Sequence, residues 1–143
     1  MSNNQRLLQS EFKNLVPHAG MMLLIDEVQS WTENNIITRS HSHQNPDNPL
    51  RLNGKLSSLH LIEYGAQTMA IHCGLLTGNA RAGFLAAVRA AHFYIDVLDD
   101  VESELIINAT AELQMSKGAV YQFSVSDNDN NLLIEARTTV VHL

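Results

Sequence analysis

The stretch Leu59-His60-Leu61-Ile62-Glu63-Tyr64-Gly65-Ala66-Gln67-Thr68-Met69-Ala70-Ile71-His72-Cys73-Gly74-Leu75-Leu76 decides how this chain folds. It is of helix length and almost wholly apolar, which places it in a core, yet it carries Glu63, Gln67 and His72. An ionised carboxylate is costly to bury and is rarely kept in such a setting without a partner or a chemical role. Ser57 or Ser58 can cap its start and Gly78 supplies its stop, so a helix is expected over about 59–76. Its polar residues leave it short of the uninterrupted apolar span of about 20 residues that crosses a bilayer. It reads as a core helix, and no membrane span is expected.

Working outward, residues 44–55 hold Pro46, Pro49 and Gly54 among Asn and Asp and form a loop that leads into the helix. Before it, residues 21–31 and 35–43 read as two strands of a hairpin, separated by Thr32-Glu33-Asn34. Residues 4–15 place Leu7, Leu8, Phe12 and Leu15 near helical spacing and predict a short amphipathic helix that ends at Pro17. After the helix the period of apolar residues changes from 3.6 to 2. Strands are expected over 83–94, 105–115, 119–126 and 132–141, with Ile107, Ala109, Ala111, Leu113 and Met115 on one face of the second. The order is hairpin, one buried helix, then an antiparallel meander. A lone apolar helix is buried only if that sheet wraps it, which gives an α+β layout in a single domain over 1–143.

Composition narrows the function. With 45% apolar and 17% charged residues the chain is globular. Its net charge is -6, and its nine basic residues are scattered singly, so no stripe follows a phosphate backbone and nucleic acid is set aside. The one cysteine, Cys73, forms no internal disulfide, and residues 1–15 show no basic segment followed by an apolar one. A reducing cytoplasm is the expected location.

Two motifs carry a family resemblance. Leu15-Val16-Pro17-His18-Ala19-Gly20-Met21-Met22-Leu23-Leu24-Ile25-Asp26 is similar, without gaps, to the LPHRYPFLLVD motif of the hot-dog-fold 3-hydroxyacyl-[acyl-carrier-protein] dehydratases. Ile62-Glu63-Tyr64-Gly65-Ala66-Gln67 is similar to their IEALAQ helix. Asn48-Pro49-Leu50, Gly54-Lys55-Leu56 and Ile62-Glu63-Tyr64 most resemble the dehydratase-like proteins of aryl-polyene pigment pathways. The resemblance implies a hot-dog fold, its sheet wrapped around the central helix, in a homodimer or in a heterodimer with a related chain. Sheets would join edge to edge, with acyl tunnels along the subunit interface. It also implies an acyl carrier protein or acyl thioester as partner, and a site pairing the helix carboxylate, here Glu63, with a histidine from the preceding loop across the interface. In the family that histidine stands in Gly-His-Phe-Pro; the aligned segment here is Gly54-Lys55-Leu56, so lysine occupies its place.

The reaction shows why that matters. Elimination of water needs a base for the α-proton and an acid for the departing hydroxyl. Neutral imidazole suits the first role and a buried carboxyl the second. Glu63 is the candidate acid, and His43, then His41, both at the end of the second strand, are the candidate bases. Read structurally, those two are half-exposed strand residues. His60 and Gln67, three before and four after Glu63, share its helical stripe and are candidate substrate contacts, as are Lys55, Arg51 and Arg89. Arg51, Lys55, Arg81 and Arg89 are the cations nearest the loop and helix ends, where an acidic carrier protein would dock. His72 reads as a satisfied core histidine and His18 as structural. His41-Ser42-His43 supplies only two metal ligands, so neither metal nor cofactor is expected.

Three readings stay open: dehydration of 3-hydroxyacyl chains on a carrier protein, a non-catalytic dehydratase-like subunit that binds acyl chains or stabilises a catalytic partner, and a thioesterase of the same fold. For Glu63 a purely structural role also stands, as an anchor for the helix start bonded to Gln67 or Tyr64.

Overall fold

The computed structural model describes residues 2–3, 6–16, 20–78 and 83–142. Pro17, His18 and Arg81 lie outside the described residues. Among the described residues eight strands form one antiparallel sheet: β1 (Ser2–Asn3), β2 (Leu7–Leu8), β3 (Glu27–Thr32), β4 (Asn35–Ser40), β5 (Gly83–Phe93), β6 (Leu105–Met115), β7 (Gly118–Ser126) and β8 (Leu132–His142). Their order is β1-β3-β4-β6-β7-β8-β5, with β2 also on β3, so the strand that follows the helix ends the sheet at one edge. A short helix α1 (Gln9–Phe12) precedes the long helix α2 (Leu61–Thr77).

The long helix forms where its sequence places it. A 3-10 turn, Ser58–His60, leads into it, and the Ser57 hydroxyl accepts the Leu59 N–H at 3.2 Å. Gly78 stops it at φ +79°, a left-handed conformation that suits glycine, and its N–H returns to the Gly74 carbonyl at 2.8 Å. The helix packs on β4, β6 and β7. Tyr121, Phe123 and Val125 of β7, with Leu105, Ile107 and Ala109 of β6, line the sheet's inner face and are buried, as the alternation predicts. Gly65 lets the helix approach: a Cβ there would stand 2.6 Å from the Phe123 ring.

Four local expectations change, each for a physical reason. Over 4–15 the helix shrinks to α1 plus a 3-10 turn, Lys13–Leu15, because Leu7 and Leu8 pair with Val28 and Glu27 of β3. The strand expected over 21–31 begins only at Glu27; Leu23, Leu24 and Ile25 are buried beneath the helix without ladder pairing, after a 3-10 turn at Gly20–Met22. The strand expected over 35–43 ends at Ser40, where the backbone turns into the 3-10 segment Ser42–Gln44. In β6 a register shift between Ala111 and Leu113 moves Leu113 and Met115 off the inner face, leaving them 50% and 60% exposed.

The contact between α2 and β7 is directly testable. Gly65→Ala improves helix propensity but forces a methyl into Phe123, and a net loss of about 1–3 kcal/mol is expected in urea unfolding. Stability at or above wild type would show that helix and sheet do not meet at this point.

Candidate functional site

Glu63 lies in the first turn of α2 and is half-buried. One turn on, Gln67 is 2% exposed and fully bonded. Its side-chain oxygen accepts the Leu24 N–H at 2.8 Å, and its nitrogen donates to the Met22 carbonyl at 2.7 Å and to Glu63 Oε2 at 3.2 Å. The i, i+4 spacing of a helix brings the two side chains together. The apolar segment before β3 thus folds under the helix because Gln67 satisfies its backbone groups there.

A second set of hydrogen bonds runs from the same segment to the loop. The Ser40 hydroxyl donates to the Leu24 carbonyl. Ser40 Oγ lies 2.8 Å from Ser42 Oγ, and Ser42 Oγ lies 2.8 Å from the Tyr64 hydroxyl. Asn48 Nδ2 lies 3.4 Å from that hydroxyl and 2.9 Å from the Ser42 carbonyl. With the Ser40 proton committed to a carbonyl, the order of donation is forced: Asn48 to Tyr64, Tyr64 to Ser42, Ser42 to Ser40. Burial also pushes the Tyr64 phenol above its ordinary range, so it stays protonated as that order requires.

The loop histidines are engaged elsewhere. His43 is 1% exposed, and its Nε2 donates to the Val101 carbonyl at 3.1 Å. The cleft beside it, about 360 Å³, is lined by Gln44, Arg51, Leu98, Asp99, Val101 and Glu102. His41 is exposed, with Nε2 2.8 Å from Glu104 Oε2, while Arg39 holds the other oxygen at 2.7 Å. Arg51 is an internal strut: it pairs with Asp99, donates to the His43 carbonyl at 2.5 Å and donates to the Asn45 carbonyl at 3.1 Å. Asp99 in turn accepts the Leu56 N–H at 2.9 Å. Those bonds hold its carboxyl below the usual range, the Leu56 N–H first and Arg51 second.

Of the remaining candidates, His60 is half-buried at the end of the 3-10 turn and Lys55 is exposed in the 52–55 turn. Arg89 is exposed on β5, opposite Arg137, which is itself bonded twice to Glu112 at 2.8 Å. The structure therefore brings Glu63 and Gln67 together and gathers His43 with Arg51 in a separate cluster. His72, on the helix face toward the sheet, lies 2.7 Å from the Tyr121 hydroxyl and 2.8 Å from the Thr32 carbonyl. Among the described residues no three His, Cys, Asp or Glu side chains are grouped to hold a metal ion, and no helix is long and apolar enough to cross a membrane. Nothing in the sequence marks Ser40, Ser42, Tyr64 and Asn48 as site residues, because isolated hydroxyls and amides carry no spacing signal.

Comparison with known proteins adds the family. The ApeP-like model, described as ApeP dehydratase, matches residues 10–143. Among curated proteins nothing matches significantly. Among solved structures, the dehydratase heterocomplex ApeI:P from Xenorhabdus doucetiae is similar at 20% identity and TM-score 0.81, over 92% of this chain and 90% of that one. A thioesterase from Haemophilus influenzae is similar at 14% identity and TM-score 0.68, over 100% and 95%. The PaaI protein of the E. coli phenylacetic acid degradation operon is similar at 16% identity and TM-score 0.62, over 83% and 79%. At these identities the structural likeness establishes the shared hot-dog fold.

The buried imidazoles give a pH dependence of known sign. Burial holds His43 and His72 below the ordinary imidazole value. As pH falls below the unfolded value of about 6.5, the unfolded chain takes up more protons than the folded one. Their contribution to stability is full above that pH and is lost toward the lower folded values. The unfolding free energy is expected to be smaller at pH 5 than at pH 7.5, with a slope of up to about 1.4 kcal/mol per pH unit for each histidine. His43→Gln should shrink the drop. A flat profile would show that these rings are not buried in the neutral form.

Proposed function

Because the chain belongs to the ApeP-like dehydratase family, we propose that it serves in the dehydration of 3-hydroxyacyl chains held on an acyl carrier protein, in a dimer that a related dehydratase-like chain completes. One observation carries this reading. Gln67 holds Glu63 in the first turn of α2, while His43 and His41 are committed to the Val101 carbonyl and to Glu104. The chain presents the acid, while its own loop imidazoles each hold another group through Nε2.

In the proposed reaction an imidazole of the partner chain takes the α-proton. The electron pair released forms the Cα–Cβ double bond, the Cβ–O bond breaks, and the hydroxyl leaves as water with the proton that Glu63 supplies. Two findings favour a two-chain assembly. The similar protein from Xenorhabdus doucetiae is described as a heterocomplex. In addition, β5 ends the strand order and presents main-chain groups to a second sheet. The loop before α2, where Lys55 and its bridge partner Leu52 are exposed and Leu59 is exposed at the helix entry, is the surface a carrier protein would meet. Arg51 is committed within the loop and does not serve in docking. The assembly is assigned to the cytoplasm.

Two measurements test this. On a 3-hydroxyacyl carrier-protein substrate the chain alone should run at background rate, and adding the related chain should raise the rate by about 10²-fold or more. Full activity of the chain alone would overturn the composite site, and an inactive pair would leave it a non-catalytic subunit. Lys55→Glu should slow association with the carrier protein and weaken its salt dependence. Unchanged association in both respects would move the docking surface elsewhere.

A further inference from the structure

The hydrogen bonds of Gln67 say more than that it lies near Glu63. An amide offers two N–H donors and one carbonyl oxygen. In Gln67 both donors are spent, on the Met22 carbonyl and on Glu63 Oε2, and the oxygen accepts the Leu24 N–H. Turning the amide over would set oxygen against oxygen at two contacts and N–H against N–H at the third, so one orientation is fixed. Both N–H donors are thus spent, and the side chain is 2% exposed, which leaves little of it to meet a substrate. The sequence-based expectation of a substrate contact is therefore replaced by a different role.

The second set of bonds shows what that role reaches. The Leu24 peptide is held by Gln67 through its N–H and by Ser40 through its carbonyl. From Ser40 the path continues through Ser42 to Tyr64, the residue next to Glu63. The circuit leaves the helix at Gln67, crosses the 22–24 segment and the end of β4, and returns to the helix at its first turn. With both of its ends on one helix, none of its links shifts without disturbing the next.

We infer that Gln67 is a positioning residue: it fixes the direction of the Glu63 carboxyl and ties it to the seating of the 22–24 segment. Holding Oε2 restricts rotation of the carboxyl and makes Oε1 the oxygen that would meet the departing hydroxyl. The inference rests on the reading of Glu63 as the reacting carboxyl. Misplacing a reacting group by about 1 Å can cost 10²-fold in rate.

The test is a double-mutant cycle in the assembled two-chain complex, with kcat and KM measured for Glu63→Gln, Gln67→Met and the double variant. Gln67→Met should lower kcat by about 10-fold or more with KM little changed. The double variant should be no slower than Glu63→Gln alone. Where Gln67→Met does not fold, Gln67→Asn, which keeps an uncharged amide but withdraws it by one methylene from Glu63, carries the same expectation. Wild-type kcat in the Gln67 variant, or additive losses in the double, overturns the inference while leaving Glu63 in place. A wild-type rate in Glu63→Gln removes the underlying reading instead. Should the pair show no turnover, a crystal structure of the Gln67 variant decides: a Glu63 carboxylate spread over several conformers supports the inference, and one held as in wild type overturns it.

Discussion

A single helix whose Leu61, Tyr64, Gly65, Thr68, Met69, Ile71 and His72 are all buried needs cover on most of its circumference, and a flat sheet covers only one side. Everything else in the architecture follows from wrapping that helix. The helix packs on β4, β6 and β7, Gly65 allows contact with Phe123, and Ser42 and Asn48 before the helix reach the Tyr64 hydroxyl. Register is set by buried polar pairs as well as by apolar packing: Thr38 meets Thr68 at 2.8 Å, and His72 lies between Tyr121 and the Thr32 carbonyl. Groups of this kind are costly unless paired, so only one seating of the helix satisfies them all.

The same constraint makes the candidate site. Burying the helix buries the backbone of residues 22–24, which must find partners away from water, and Gln67 supplies them. The residue one turn before it is thereby held where the helix begins. A structural requirement and a chemical one meet in one amide. The loop on the other side is stabilised independently, by Arg51 reaching the carbonyls of His43 and Asn45 and the carboxylate of Asp99.

Much of this was legible in the sequence, and the rest was hidden for identifiable reasons. The strand over 105–115 was read with its bounds because alternation is a local signal, and α2 because an apolar run with a glycine stop is one too. Leu113 and Met115 leave the face that alternation assigns them because a bulge is invisible in alternation. The strand expected to start at residue 21 starts at 27 because burial, and not ladder pairing, explains the apolar residues Leu23 to Ile25. Glu63 and Gln67 were legible as an i, i+4 pair. Arg51 read as a free cation because its partner Asp99 lies 48 residues away in the chain. His43 read as a half-exposed strand end because nothing local shows that it turns inward onto Val101.

The central claim is that Glu63 of this chain supplies the proton to the departing hydroxyl. The most direct measurement is the initial rate of dehydration by the assembled complex carrying Glu63→Gln, taken together with its unfolding temperature. This substitution keeps the volume and outline of the side chain while removing the titrating proton and the cost of a half-buried charge. The account expects a rate lower by about 10²-fold or more with the unfolding temperature unchanged or raised. A rate close to wild type in a stably folded complex would contradict it.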